Sequence, residues 1–110
     1  MVNIQRIDIL ARGGKSIFIG REIAKSAQWY LKLEKENIDN LRVALEDSNF
    51  SLLICLGEQI YGNGNSFGFP YISKVGKSIK LAATQKDYMR ISVLIEVLKS
   101  YLQNMSLIYV

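Results

Sequence analysis

The chain of 110 residues contains no histidine, one cysteine and one proline. Each scarcity narrows what it can do. Without histidine there is no imidazole general base and no catalytic triad built on one. With a single thiol, Cys55, no internal disulfide can form and the usual zinc-ligand sets cannot be assembled. Cys55 lies in the apolar run from Leu52 to Leu56, which predicts an inert thiol packed in the core. The lack of proline removes helix breakers and points to long helices. No apolar run approaches the roughly 20 residues that span a bilayer. The start, Met1 to Asp8, lacks the basic, apolar and small-residue order of a signal peptide. A cytoplasmic chain with no membrane partner, no metal and no cofactor is the expectation.

What is present suits one soluble domain over residues 1–110. Hydrophobic residues make up 49% of the chain and charged residues 22%, as in ordinary globular proteins. The net charge of +4 is a mild excess, and the basic residues are scattered and often offset by nearby acids such as Glu34, Glu36, Asp39, Glu46 and Asp47. That pattern predicts a solvated surface rather than a nucleic-acid interface.

Hydrophobic spacing predicts four helices. The first starts near Gly20 or Arg21 and runs to about Asp47, with Ile23, Ala27, Tyr30, Leu31, Ile38, Leu41 and Leu45 on one face. Glu34 interrupts this stripe, which predicts a partly exposed middle and an edge position for Glu34, Ile38 and Leu41. Asp47-Ser48-Asn49 is a turn that ends in a helix cap. The second helix carries Phe50, Leu53, Leu56, Ile60 and Phe67, with glycines at 57, 62 and 64. Each interior glycine costs on the order of 1 kcal/mol against alanine, and close approach of a neighbouring helix is the obvious return. Gly68 fits the left-handed position just past a helix end, and Pro70 the first turn of the next helix. That third helix buries Ile72, Val75, Ile79, Ala82 and Ala83. Asp87 caps a fourth with Tyr88, Ile91, Leu94, Ile95, Leu98, Leu102 and Met105 on one side. Residues 16–20 read as a short lid over the core, and residues 107–110 as a tail that leaves the last helix. The sum is an all-α, antiparallel up-down-up-down four-helix bundle with a short N-terminal lid segment.

The stretch from Glu58 to Phe69 carries the sharpest signal: Glu-Gln-Ile-Tyr-Gly-Asn-Gly-Asn-Ser-Phe-Gly-Phe. It is no dinucleotide loop, since the third glycine of G-x-G-x-x-G would fall on Phe67. It is no P-loop, since Gly-Lys-Ser/Thr is missing. It resembles the active-site helix of histidine-containing phosphotransfer (HPt) domains, roughly His-x-x-Lys-Gly-x-Gly-x-x-Phe/Tyr-Gly-Phe. Gly62, Gly64, Phe67, Gly68 and Phe69 match. Glu58 stands in the histidine slot and Tyr61 in the lysine slot. The resemblance covers about residues 24–104: the run from Asn40 to Phe50 looks like the family's lead-in helix and turn, and Ile72 to Leu102 like its two closing helices.

The resemblance implies a four-helix bundle and a helix surface kept flat by glycine for docking. It implies as partner a response-regulator receiver domain, with an acidic Mg²⁺-binding pocket, or a histidine kinase. It does not imply phosphate transfer here. A carboxylate is a weak nucleophile, its acyl phosphate is hydrolytically unstable, and the lysine that would offset phosphoryl charge is absent. The expected function is a non-catalytic docking domain, not an enzyme. Glu58, Gln59, Tyr61, Gly62 and Asn65 lie on or beside one helix face. Lys74, Lys77 and Lys80, spaced three apart, are candidates to steer an acidic partner, or simply face solvent. The alternative is a helical interaction module with no phosphorelay role, self-associating through Trp29, Tyr30 or the C-terminal aromatics. An enzyme using Glu58 as a general base lacks a visible acid partner. Oligomeric state is left open.

Overall fold

A computed structural model describes residues 15–19 and 24–109. Four helices follow one another: α1 Ala24–Glu46, α2 Phe50–Phe67, α3 Pro70–Thr84 and α4 Tyr88–Gln103. The connections between them are two or three residues long, so each helix must reverse on the one before. Helix α1 packs on α2 and α4, α2 on α3, and α3 on α4. This closed ring is the expected antiparallel bundle.

Local chemistry sets the helix ends. The Asn49 side chain accepts a hydrogen bond from the Leu52 N–H at 3.1 Å, and Asp87 accepts one from Arg90 N–H at 3.1 Å. Each satisfies a donor that the first helical turn leaves unpaired. Helix α2 ends at Gly68, whose φ of 83° is open to glycine at no steric cost. The reversal is fixed by the Phe69 N–H donating to the Gly64 carbonyl at 2.8 Å. Pro70 then sits in the first turn of α3. The expected start of α1 at Gly20 or Arg21 lies outside the described residues.

The core takes the predicted stripes almost whole. Ala27, Tyr30, Leu41, Leu53, Ile60, Ile72, Ile79, Ile91, Ile95 and Leu98 are fully buried. Three expectations are corrected. Glu34 is 0% exposed, and Ile38 and Leu41 are buried beside it on the same helix, so the middle of α1 is core rather than edge. The reason is that Glu34 falls on the stripe, one turn from Tyr30 and from Ile38, and helix phase overrides its polarity. Cys55 is exposed, because its place between Leu53 and Leu56 turns it off their face. Tyr88, in the first turn of α4, is exposed too.

The N-terminal segment expected as a lid is extended. β1, Lys15–Ile19, pairs in parallel with β2, Met105–Tyr109, in the register Lys15 to Met105 and Ile19 to Tyr109. β-branched and aromatic residues favour extended backbone, and Ile17-Phe18-Ile19 and Leu107-Ile108-Tyr109 supply them. The whole bundle is the crossover between these two strands. The tail does leave α4, as expected. No helix among the described residues is long and apolar enough to cross a membrane.

Candidate functional site

Helices α2 and α3 form the closest pair in the bundle, and glycine makes the approach possible. A Cβ on Gly57 would lie 2.8 Å from both the Gly76 carbonyl oxygen and the Lys80 backbone nitrogen. On Gly64 it would meet the Ser73 backbone nitrogen at 2.7 Å. On Gly76 it would meet the Tyr61 nitrogen at 2.7 Å. All four distances are far inside van der Waals contact, so the two backbones touch where side chains would normally separate them. Ser73, itself buried, donates its hydroxyl to the Tyr61 carbonyl at 2.6 Å and ties the seam.

Gly62 is different. A Cβ there would meet nothing within 4 Å. The glycines of α2 and its C-terminal end therefore divide by physical role: Gly57 and Gly64 belong to helix packing, Gly68 to the turn, and Gly62 to an exposed helix surface.

The close seam places the exposed side chains of both helices in register. The Lys80 ammonium donates to the Glu58 carboxylate across the seam. One turn further along, the Lys77 ammonium stands 5.9 Å from the centre of the Tyr61 ring, in cation–π contact. Glu58, Tyr61, Gly62 and Asn65 share the exposed face of α2. Lys74 is exposed on α3, next in sequence to the Ser73 that abuts Gly64. Gln59 is also exposed, one position round the helix from Glu58. Glu58, Tyr61, Lys77 and Lys80 are thus brought together, with Gly62 beside them. Gln59, Asn65 and Lys74 border them without joining either contact.

Lys80 is the residue that completes the cluster, because it alone reaches Glu58. Three lysines stand here against one carboxylate, and the face is cationic. The Glu58–Lys80 pair is about half exposed on both sides, so it contributes roughly 0–1 kcal/mol to stability. It orients Glu58 more than it holds the fold. Gly76 gave no sequence signal of its own; its meaning depends on which residues of α2 face it.

A second polar cluster lies inside the bundle. Glu34 accepts a hydrogen bond from the Asn37 amide at 3.1 Å through Oε1, while Oε2 is buried without a partner. Burial pushes its carboxyl up from 4.5 to about 7, and the Asn37 bond offsets only part of this. The neighbouring Tyr30 hydroxyl is likewise buried without a partner, and burial first, then Glu34, drives its ionisation far upward. The Tyr30 ring stacks on Phe67 at 4.7 Å and on Phe69 at 5.2 Å, and Trp29 stands 6.1 Å from Phe67. The aromatic end of the motif is therefore anchored to α1.

Among the described residues no group of three His, Cys, Asp or Glu side chains could hold a metal ion. No family model, curated protein or solved structure matches the chain.

Proposed function

We propose that the chain is a non-catalytic HPt-like docking domain of two-component phosphorelay signalling, which binds a receiver domain or histidine kinase without accepting phosphate. The observation that carries this reading is the open space at Gly62. A glycine inside a helix costs on the order of 1 kcal/mol against alanine. At Gly57 and Gly64 the packing of α3 returns that cost; at Gly62 nothing among the described residues does. A flat, exposed backbone is what a close-fitting partner needs. Two further features support the reading. Lys77 and Lys80 flank this surface and suit an acidic partner. Glu58 has its carboxylate engaged by Lys80 rather than free to attack a phosphoryl group.

Calorimetric titration against a panel of response-regulator receiver domains tests the proposal. Wild type binds at least one of them saturably. Gly62→Arg lowers the affinity at least tenfold and leaves the thermal midpoint nearly unchanged, because the new side chain projects into solvent. Equal binding by wild type and Gly62→Arg places docking on another face. Gly64→Arg cannot serve this purpose, since a side chain there strikes the Ser73 backbone.

The second reading is a self-associating helical module, and the exposure of Trp29, 58%, favours it. Sedimentation of the domain alone and with a receiver separates the two. A concentration-dependent dimer that Trp29→Ala abolishes, with no receiver complex, selects the second.

A further inference from the structure

The interior cluster of Glu34, Asn37 and Tyr30 plays no part in the docking face, yet a buried carboxylate is among the most expensive groups to keep in a core. Glu34 is fully enclosed, one of its oxygens has no partner, and its single hydrogen bond comes from a neutral amide. Both side-chain ion pairs of the described residues lie elsewhere, so among the described residues no cation pairs with it. Among the described residues, the titratable groups around the cluster are Tyr30 on α1 itself and Tyr101 on α4, both hydroxyls that would be anionic if ionised. Toward α2 and the start of α3, Tyr30 meets the uncharged rings of Phe67 and Phe69. The Asn37 amide alone favours the charged form, and it offsets only part of the cost of burial.

We propose that Glu34 is a proton-operated latch on the aromatic end of the bundle: neutral, it lets α1 close on Phe67 and Phe69 through Tyr30; ionised, it loosens that contact.

Below about pH 4.5 the carboxyl is neutral in both the folded and unfolded chain. Between 4.5 and about 7 the unfolded chain loses this proton while the folded chain keeps it, so stability falls as pH rises. Above about 7 the decline stops and the charge resides in the core. A chain with no histidine has few other groups that titrate in that interval, so the signal is nearly isolated. The reporter is built in: Trp29 is the sole tryptophan and lies against Phe67.

The test follows urea denaturation and Trp29 fluorescence of wild type and Glu34→Gln between pH 5 and 7.5, with the Glu34 carboxyl observed by carbon NMR. Wild type loses on the order of a hundredfold in its folding equilibrium constant across this range, whereas Glu34→Gln changes less than threefold. Trp29 emission shifts with the same midpoint as the Glu34 carboxyl. Parallel pH profiles for the two proteins overturn the latch. So does a Glu34 carboxyl that titrates in the ordinary range, or Trp29 emission that stays flat while Glu34 ionises. The NMR titration needs only wild type, so the proposal is tested even if Glu34→Gln folds poorly.

Discussion

Gly64→Ala lowers the unfolding free energy by about 2–3 kcal/mol, whereas Gly62→Ala, two residues away, raises it by about 0.5–1 kcal/mol. The opposite signs follow from what each new methyl group meets. At Gly64 it falls 2.7 Å from the Ser73 backbone nitrogen and 2.9 Å from the Ser73 Cα. Backbone atoms cannot rotate away as the end of a flexible side chain can. Helices α2 and α3 must part, and the bond from the Ser73 hydroxyl to the Tyr61 carbonyl at 2.6 Å lies directly in the strained region. Gly57→Ala behaves like Gly64→Ala, because its methyl would press on Gly76 and Lys80 backbone atoms at 2.8 Å. At Gly62 the methyl enters open space, and only the gain in helix propensity remains. Urea denaturation of the three variants, compared at constant m-value, checks the ordering. Three alike variants would mean that the glycines do not divide into packing and surface roles.

The second large effect is a gain of chemistry. On the proposed reading, the double variant Glu58→His, Tyr61→Lys takes up stable label from a phosphorylated receiver domain, and the wild-type chain takes up none. An imidazole with a pKa near neutrality presents an unprotonated nitrogen to the aspartyl phosphate. That nitrogen forms the new P–N bond as the P–O bond to the aspartate breaks, and the carboxylate leaves with the electron pair. A lysine at position 61 adds positive charge one turn away, where phosphoryl oxygens would lie. Both positions are exposed on α2, so neither change disturbs the core. The lost pair with Lys80 is half exposed and contributes at most about 1 kcal/mol. Gel separation after incubation with labelled phospho-receiver reads the result. No label on the double variant would show that the surface around position 58 does not fit a phospho-receiver. Label on wild type would show that Glu58 is a phosphate acceptor after all.

Much of this architecture was legible because it is locally encoded. Asn49, Gly68, Pro70 and Asp87 mark helix ends through the hydrogen bonds or dihedral angles they allow, and the stripes from Leu53 to Ile60 and from Ile72 to Ala83 fix which faces meet. What escaped depended on partners distant in sequence. The β1–β2 pairing joins segments separated by the whole bundle, so helical periodicity carries no trace of it. Glu34 escapes because its helix phase outweighs its polarity, and Cys55 because an apolar run on a helix is buried on one side only. At the candidate site, the shared face of Glu58, Tyr61, Gly62 and Asn65 follows from helix spacing alone. The pairing of Glu58 with Lys80 and of Tyr61 with Lys77 needed the register between α2 and α3, which Gly57, Gly64 and Gly76 set. The same register separates Gly62 from the other motif glycines, a distinction that composition cannot make.

That distinction leads directly to a residue-level map of binding. Amide chemical shifts of the isotopically labelled chain, followed during titration with a receiver domain it binds, report which surface is covered. The predicted perturbations cluster on Glu58, Tyr61, Gly62 and Asn65 of α2 and on Lys77 and Lys80 of α3. Perturbations centred on the outer faces of α1 and α4, with the Gly62 amide unmoved, would contradict the proposed docking face.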